Sequence, residues 1–127
     1  MKRILIVDDK ATSRELLRTV LEKQGYAISE AANGEEALEK TRSEAPDLIL
    51  LDLQMPLRNG YEVLAELRQT PAYAKLPVIA LTASAMQGDR EKALAAGFTG
   101  YLAKPVTLAT LRVEIQRLLG PGQAASG

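Results

Sequence analysis

The amino-acid sequence predicts an α/β domain built on a five-stranded parallel sheet, and three observations carry that reading. Ile4 to Val7, Leu48 to Leu51 and Val78 to Leu81 are aliphatic runs without polar alternation and too short for helices, so they read as strands buried on both faces. Each run stops at a polar residue, at Asp8, Asp52 and Thr82. Between the runs lie segments whose apolar residues recur at helical spacing. Strict alternation of strand and helix with short connections marks a parallel sheet covered by helices on both faces.

In chain order, Ile4 to Val7 is β1. Thr12 to Gly25 is α1: Thr12-Ser13-Arg14-Glu15 fits a capping box, Leu16, Leu17, Val20 and Leu21 share a face, and Gly25 stops the helix. Tyr26 to Ala31 alternates weakly and reads as β2, an edge strand. Asn33 caps α2, which has Glu35 and Glu36 in its first turn, turns Ala37, Leu38 and Thr41 inward and ends before Pro46. Leu48 to Leu51 is β3, entered through Pro46-Asp47. Asn59-Gly60 turns into α3, with Val63, Leu64 and Leu67 as its buried stripe. Val78 to Leu81 is β4. Helix α4 lies between Gly88-Asp89 and Gly97, with Met86, Ala93 and Leu94 as inward candidates. Gly100 to Ala103 is β5, ended by Lys104-Pro105, and Leu108, Leu111, Ile115, Leu118 and Leu119 form the stripe of α5 before Gly120-Pro121.

Of the doubly wound orders open to five strands, the flavodoxin-like 2-1-3-4-5 places β1 and β3 at the switch point, where ligands bind outside the carboxyl ends of the strands. Residues 1–120 form one domain, and residues 121–127 read as a flexible tail or linker stub.

Composition narrows the chemistry. A chain of 127 residues buries roughly two-thirds of the surface it would expose unfolded, so it needs no staple. The absence of Cys excludes disulfides, thiolate catalysis and Cys-based zinc sites. The absence of His removes the commonest general base, and the chain cannot be its own phosphohistidine donor. Sixteen acids balance sixteen bases along the whole chain, which gives no nucleic-acid footprint. No apolar run reaches membrane-spanning length, and Met1-Lys2-Arg3 before Ile4 to Val7 is too short for a signal peptide, so the default location is the cytoplasm.

The predicted order gathers Asp8, Asp9 and Asp52 around one crevice. Such carboxylates repel by about 4 kcal/mol per pair at a separation of about 4 Å and an effective dielectric near 20. A cation reverses that sign, and an all-oxygen ligand set selects a hard ion. Mg²⁺ fits best, because it takes one or two carboxylates, keeps waters and accepts a phosphate oxygen. Lys104 offers a point charge and Thr82 a hydroxyl donor from neighbouring strand ends, the complements of a phosphoryl group. Asp52 is thus read as a carboxylate nucleophile that becomes an acyl phosphate.

In this order and at these strand ends, Asp8-Asp9, Asp52, Thr82-Ala83 and Lys104-Pro105 resemble the receiver domain of two-component response regulators, over residues 2–120. The resemblance implies that a histidine kinase or histidine phosphotransferase phosphorylates Asp52. It implies that Asp9, Asp52 and the backbone carbonyl of Gln54 hold Mg²⁺, with Asp8 acting mostly through water. Thr82, Lys104 and the amide of Ala83 would bind phosphoryl oxygens, Tyr101 would be the switch aromatic, and the Lys104–Pro105 bond would be cis. Gln54 and Ser84 would line the path of the attacking water and set the lifetime of the phosphate.

The function expected is that of a phosphorelay switch rather than an enzyme, biasing an α4-β5-α5 surface toward a downstream protein, without direct nucleic-acid or membrane binding. The stripe of α5 leaves a homodimer open, although its apolar positions are all expected in the core. The start at Met1 and the lack of a second domain favour a stand-alone receiver. A Mg²⁺ phosphatase with an aspartyl-phosphate intermediate is the first alternative, weakened because Gln54 stands where its general acid would be needed. A phosphate-independent interaction module is the second, weakened by the complete acid set. No Gly-rich phosphate loop follows β1, which argues against a nucleotide-binding domain.

Overall fold

Successive side chains of a strand leave opposite faces of the sheet, so an unbroken aliphatic run must be covered twice. The computed structural model, which describes residues 1–55, 59–83 and 86–120, covers it in that way. Its elements are β1 (Arg3–Val7), α1 (Ala11–Lys23), β2 (Ala27–Ala31), α2 (Gly34–Glu44), β3 (Leu48–Asp52), α3 (Gly60–Gln69), a 3-10 turn (Pro71–Tyr73), β4 (Val78–Thr82), α4 (Asp89–Ala96), β5 (Gly100–Ala103) and α5 (Leu108–Leu119). The strands pair in parallel in the order β2-β1-β3-β4-β5, with β2 at an edge as expected.

Ile4 and Ile6 of β1, with Leu48 and Leu50 of β3, join Leu21 of α1 and Leu111 and Ile115 of α5 in one core layer. Leu5, Val7, Ile49 and Leu51 point the other way, onto Ala37 and Leu38 of α2, Val63, Leu64 and Leu67 of α3, and Ala93 of α4. Burying each such aliphatic side chain is worth about 1.5–3 kcal/mol, so the central strands are the most firmly held part of the molecule. Their last residues inherit that rigidity.

Helix α3 is docked tightly on the end of β3. Asn59 Oδ1 accepts from the Glu62 amide and Glu62 Oε1 accepts from the Asn59 amide, both at 3.0 Å, a complete capping box where the sequence indicated only a turn. A Cβ at Gly60 would lie 2.8 Å from the Asp52 carbonyl oxygen and 2.9 Å from Leu53 Cα, so the approach requires glycine.

Several helix faces differ from expectation. Helix α1 starts at Ala11 directly after the strand-end turn, so Thr12 and Ser13 lie inside it, the expected capping box does not form, and the N-cap Lys10 makes no side-chain cap bond. Leu17, Val20 and Leu21 turn toward the core, whereas Leu16 lies outside the stripe and is 68% exposed. Met86 precedes α4 and is exposed, as is Leu94, which leaves Ala93 as the buried residue of that helix. Leu108, at the first turn of α5, is also exposed, so the α5 stripe is not wholly spent on the core. Among the described residues, no helix is long and apolar enough to cross a membrane.

Candidate functional site

Asp8 and Asp52 end adjacent strands, and both fold the chain over themselves in the same way. Asp8 Oδ1 accepts from the Lys10 amide and Asp52 Oδ1 from the Gln54 amide, each at 2.9 Å. This is an Asx turn, for which aspartate is suited because its carboxylate reaches the amide two residues on. The turn fixes each side chain and leaves Oδ2 facing the crevice. Lys104, which follows β5, brings its Nζ to both: 2.8 Å from Asp8 Oδ2 and 3.3 Å from Asp52 Oδ2. Its backbone is set by a 2.7 Å bond from the Lys104 amide to the Thr82 carbonyl. The Lys104–Pro105 peptide is cis.

Burial dominates the electrostatics. Asp52 is 4% exposed, and desolvation pushes its carboxyl above the usual carboxylate range; the Gln54 amide and the Lys104 charge oppose the shift, and the Asp8 charge adds to it. For Lys104 burial works downward, but the Asp8 hydrogen bond and the charges of Asp52 and Asp8 outweigh it and raise its pKa. The Lys104 ammonium is thus shared by two buried carboxylates.

Asp8, Asp9 and Asp52 each offer an oxygen within 4.8 Å of the others, with Asp9 exposed at the crevice mouth. Oxygens in a Mg²⁺ shell at about 2.1 Å from the ion stand about 3–4 Å apart, so the set closes with shifts of about an ångström. The donor set is oxygen only and carries an excess of negative charge, which fits a hard dication and not a soft metal.

Thr82 ends β4 and is buried. The Ala83 amide donates to Gln54 Oε1 at 3.3 Å, so the Gln54 side chain rests across the mouth of the site. Tyr101 lies on β5, already turned inward at 8% exposure, with a buried hydroxyl that has no hydrogen-bond partner among the described residues. Ser84 lies outside the described residues. The structure therefore brings Asp8, Asp9, Asp52, Thr82 and Lys104 to one end of the sheet, with Gln54 and Ala83 beside them and Tyr101 on β5 facing α4.

Sequence reasoning missed Arg14. Its Nη1 donates to the Asp8 carbonyl oxygen at 2.7 Å, and its Nε donates to Glu30 Oε1 at 3.1 Å. The only signal in the sequence is a basic residue one turn into the helix that follows the acid pair.

The chain matches the family model described as "Response regulator receiver domain" over residues 4–116. The polar-differentiation response regulator DivK of Brucella anthropi is 38% identical over 119 residues, covering 94% of this chain and 97% of DivK. The transcriptional regulatory protein ResD of Bacillus subtilis is 42% identical over 117 residues, which are 92% of this chain but 48% of ResD. Among solved structures, the chemotaxis protein CheY4 of Vibrio cholerae superposes with a TM-score of 0.87 at 33% identity, covering 93% of this chain and 98% of CheY4. The receiver domain of the sensor histidine kinase PA1611 of Pseudomonas aeruginosa, with a magnesium ion coordinated in its active-site cleft, superposes with a TM-score of 0.85 at 37% identity, covering 94% and 98%. On sequence, fold and strand-end chemistry alike, the chain belongs to the response regulator receiver domain family of two-component systems.

Proposed function

We propose that the chain is a phosphorelay receiver in which Asp52 accepts a phosphoryl group from the phosphohistidine of a histidine kinase or phosphotransferase. The observation that carries the proposal is the pair of buried carboxylates sharing the Lys104 ammonium, at 2.8 and 3.3 Å, in a crevice with a third acid. A structural ion pair needs one acid; two buried acids on one lysine, with a third acid beside them, is an arrangement that calls for another cation.

Asp8, Asp9, Asp52 and the backbone carbonyl of Gln54 would hold Mg²⁺, which when bound neutralises the acids and a phosphoryl oxygen. The Asp52 carboxylate then attacks phosphorus in line, and the P–N bond to the donor imidazole breaks with its electron pair leaving on nitrogen. Lys104 can turn its ammonium from the acids to a phosphoryl oxygen, and the Thr82 hydroxyl can donate to another. The Ala83 amide can do the same only after Gln54 Oε1 releases it, so Gln54 stands in the way of the incoming group as well as of the later water.

Phosphorylation adds about 1.5–2 negative charges at the ends of β3 and β4. Movement of Thr82 toward them alters the packing around Tyr101, and with it the groove of about 310 Å³ lined by Arg90, Tyr101, Val113 and Glu114 between α4, β5 and α5. That groove, with exposed Val113 in its lining, is the surface offered to a downstream protein.

Incubation with acetyl phosphate and Mg²⁺ is expected to add one phosphate to the intact mass of the wild type and none to Asp52→Asn. Undiminished labelling of Asp52→Asn, or turnover of a phosphomonoester, would count against the assignment.

A further inference from the structure

We propose that Arg14 is the positioning residue of the acid pair: its guanidinium locks the peptide that joins Asp8 to Asp9, and so presets both carboxylates for a divalent cation. The proposal rests on the reading of this crevice as a Mg²⁺ site.

Each of four Asp8 atoms has a partner. Its amide donates to the Ala31 carbonyl at 3.1 Å, Oδ1 accepts from the Lys10 amide, Oδ2 accepts from Lys104, and the carbonyl oxygen accepts from Arg14 Nη1 at 2.7 Å. The last bond matters because Asp8 lies one residue past β1, where its amide still bonds to the end of β2 but its buried carbonyl takes a side-chain donor. Arg14 is itself aimed. Its Nε donates to Glu30 Oε1 at 3.1 Å, and Glu30 Oε2 accepts from Arg18 Nη1 at 2.6 Å, one helical turn along. Arg18 Nε in turn meets Glu22 Oε2 at 3.1 Å, so a ladder runs from the surface of α1 across the edge strand to the Asp8 peptide. The Arg14 and Glu30 side chains are 17% and 26% exposed. The two bonds of Arg14 use Nε and Nη1 in the fixed angle of a guanidinium, which the single ammonium of lysine cannot reproduce.

Charge and position predict opposite signs, which makes the proposal testable. Arg14 places a positive charge beside a site for a dication, so if charge alone acted, removing it would tighten Mg²⁺ binding. Loss of an outer-shell partner that orients ligands instead weakens metal binding, typically 10- to 100-fold.

The test is a Mg²⁺ titration of the whole chain, followed by calorimetry and by the backbone amide shifts of Asp9 and Gln54, with thermal unfolding measured alongside. Arg14→Met and Arg14→Lys are both expected to bind Mg²⁺ about 10-fold more weakly than wild type. Arg18→Met, which shares Glu30 but does not reach Asp8, should bind within 2-fold of wild type. Tighter or equal binding by Arg14→Met, or restoration by Arg14→Lys, overturns the proposal. If Arg14→Met does not fold, the isocharged Arg14→Lys decides alone. A wild type that binds no Mg²⁺ refutes the metal reading itself, an outcome distinct from one in which wild type and Arg14→Lys bind equally.

Discussion

The acidic side of the crevice and the side closed by α4 are held by different physics. On the acidic side every polar atom of Asp8 is paired, Asp52 is fixed by its own turn, and α3 is capped and pressed against the end of β3. On the other side, α4 has eight residues, buries Ala93, and begins at Gly88 with a φ of 89° and no side-chain cap. The Tyr101 hydroxyl beneath it is buried without a partner among the described residues. The contrast separates a half that must present charges in a fixed geometry from one whose few buried contacts make rearrangement cheap.

Lys104 is where the contrast can be broken most forcefully. Removing one partner of a buried ion pair strands the other charge, so Lys104→Met is expected to destabilise the Mg²⁺-free protein by about 3 kcal/mol, the low end for such a loss because the lysine is partly exposed. The same variant should bind Mg²⁺ more tightly than wild type, since a competing cation has left, and Mg²⁺ should restore much of its stability. Urea unfolding with and without Mg²⁺ measures both effects. If stability is unchanged, the acidic side is not held by Lys104.

Two glycines sharpen the comparison, one on each side. Gly60→Ala drives a Cβ into the Asp52 carbonyl and the Leu53 backbone, which are rigid neighbours, and should cost about 2–3 kcal/mol while lowering phosphorylation of Asp52. Gly88→Ala meets nothing within 4 Å among the described residues and carries the left-handed backbone penalty, about 1 kcal/mol. Equal costs in thermal unfolding would mean that the two sides are equally constrained.

The parts that could be read in the sequence are those encoded by neighbours along the chain. Aliphatic runs ending in Asp8, Asp52 and Thr82 announce β1, β3 and β4, and the switch-point rule carries their last residues to one crevice. Helix faces were less legible at their margins. Leu16, Leu94 and Leu108 satisfy helical spacing, but whether a residue at the edge of a stripe is covered depends on how its helix crosses the sheet. The resting partners of Lys104 were hidden for another reason: Asp8 lies 96 residues away, and a pattern that suggests a phosphate ligand says nothing of what the ammonium does without one. Arg14 was invisible because it bonds to a backbone carbonyl, which every residue carries.

The smallest predicted effect has the opposite sign. A buried hydroxyl without a partner costs roughly 1–3 kcal/mol; that of Tyr101 has none among the described residues, and Tyr101→Phe removes it while keeping the ring that fills the space under α4. Burial, reinforced by the charge of Asp89, raises the phenol pKa and keeps it neutral, so ionisation offers no escape from that cost near neutral pH. Tyr101→Phe should therefore stabilise the unphosphorylated chain by about 1 kcal/mol, a rise of roughly 4 °C in Tm for a domain of this size. In the proposed switch the hydroxyl is useful only if the phosphorylated arrangement supplies its missing partner. The gain should then shrink or vanish when unfolding is measured after treatment with acetyl phosphate and Mg²⁺. An equal gain in both states would leave Tyr101 a packing residue and move the switch elsewhere on the α4 side; a loss in the unphosphorylated state would mean that the hydroxyl already has a partner there.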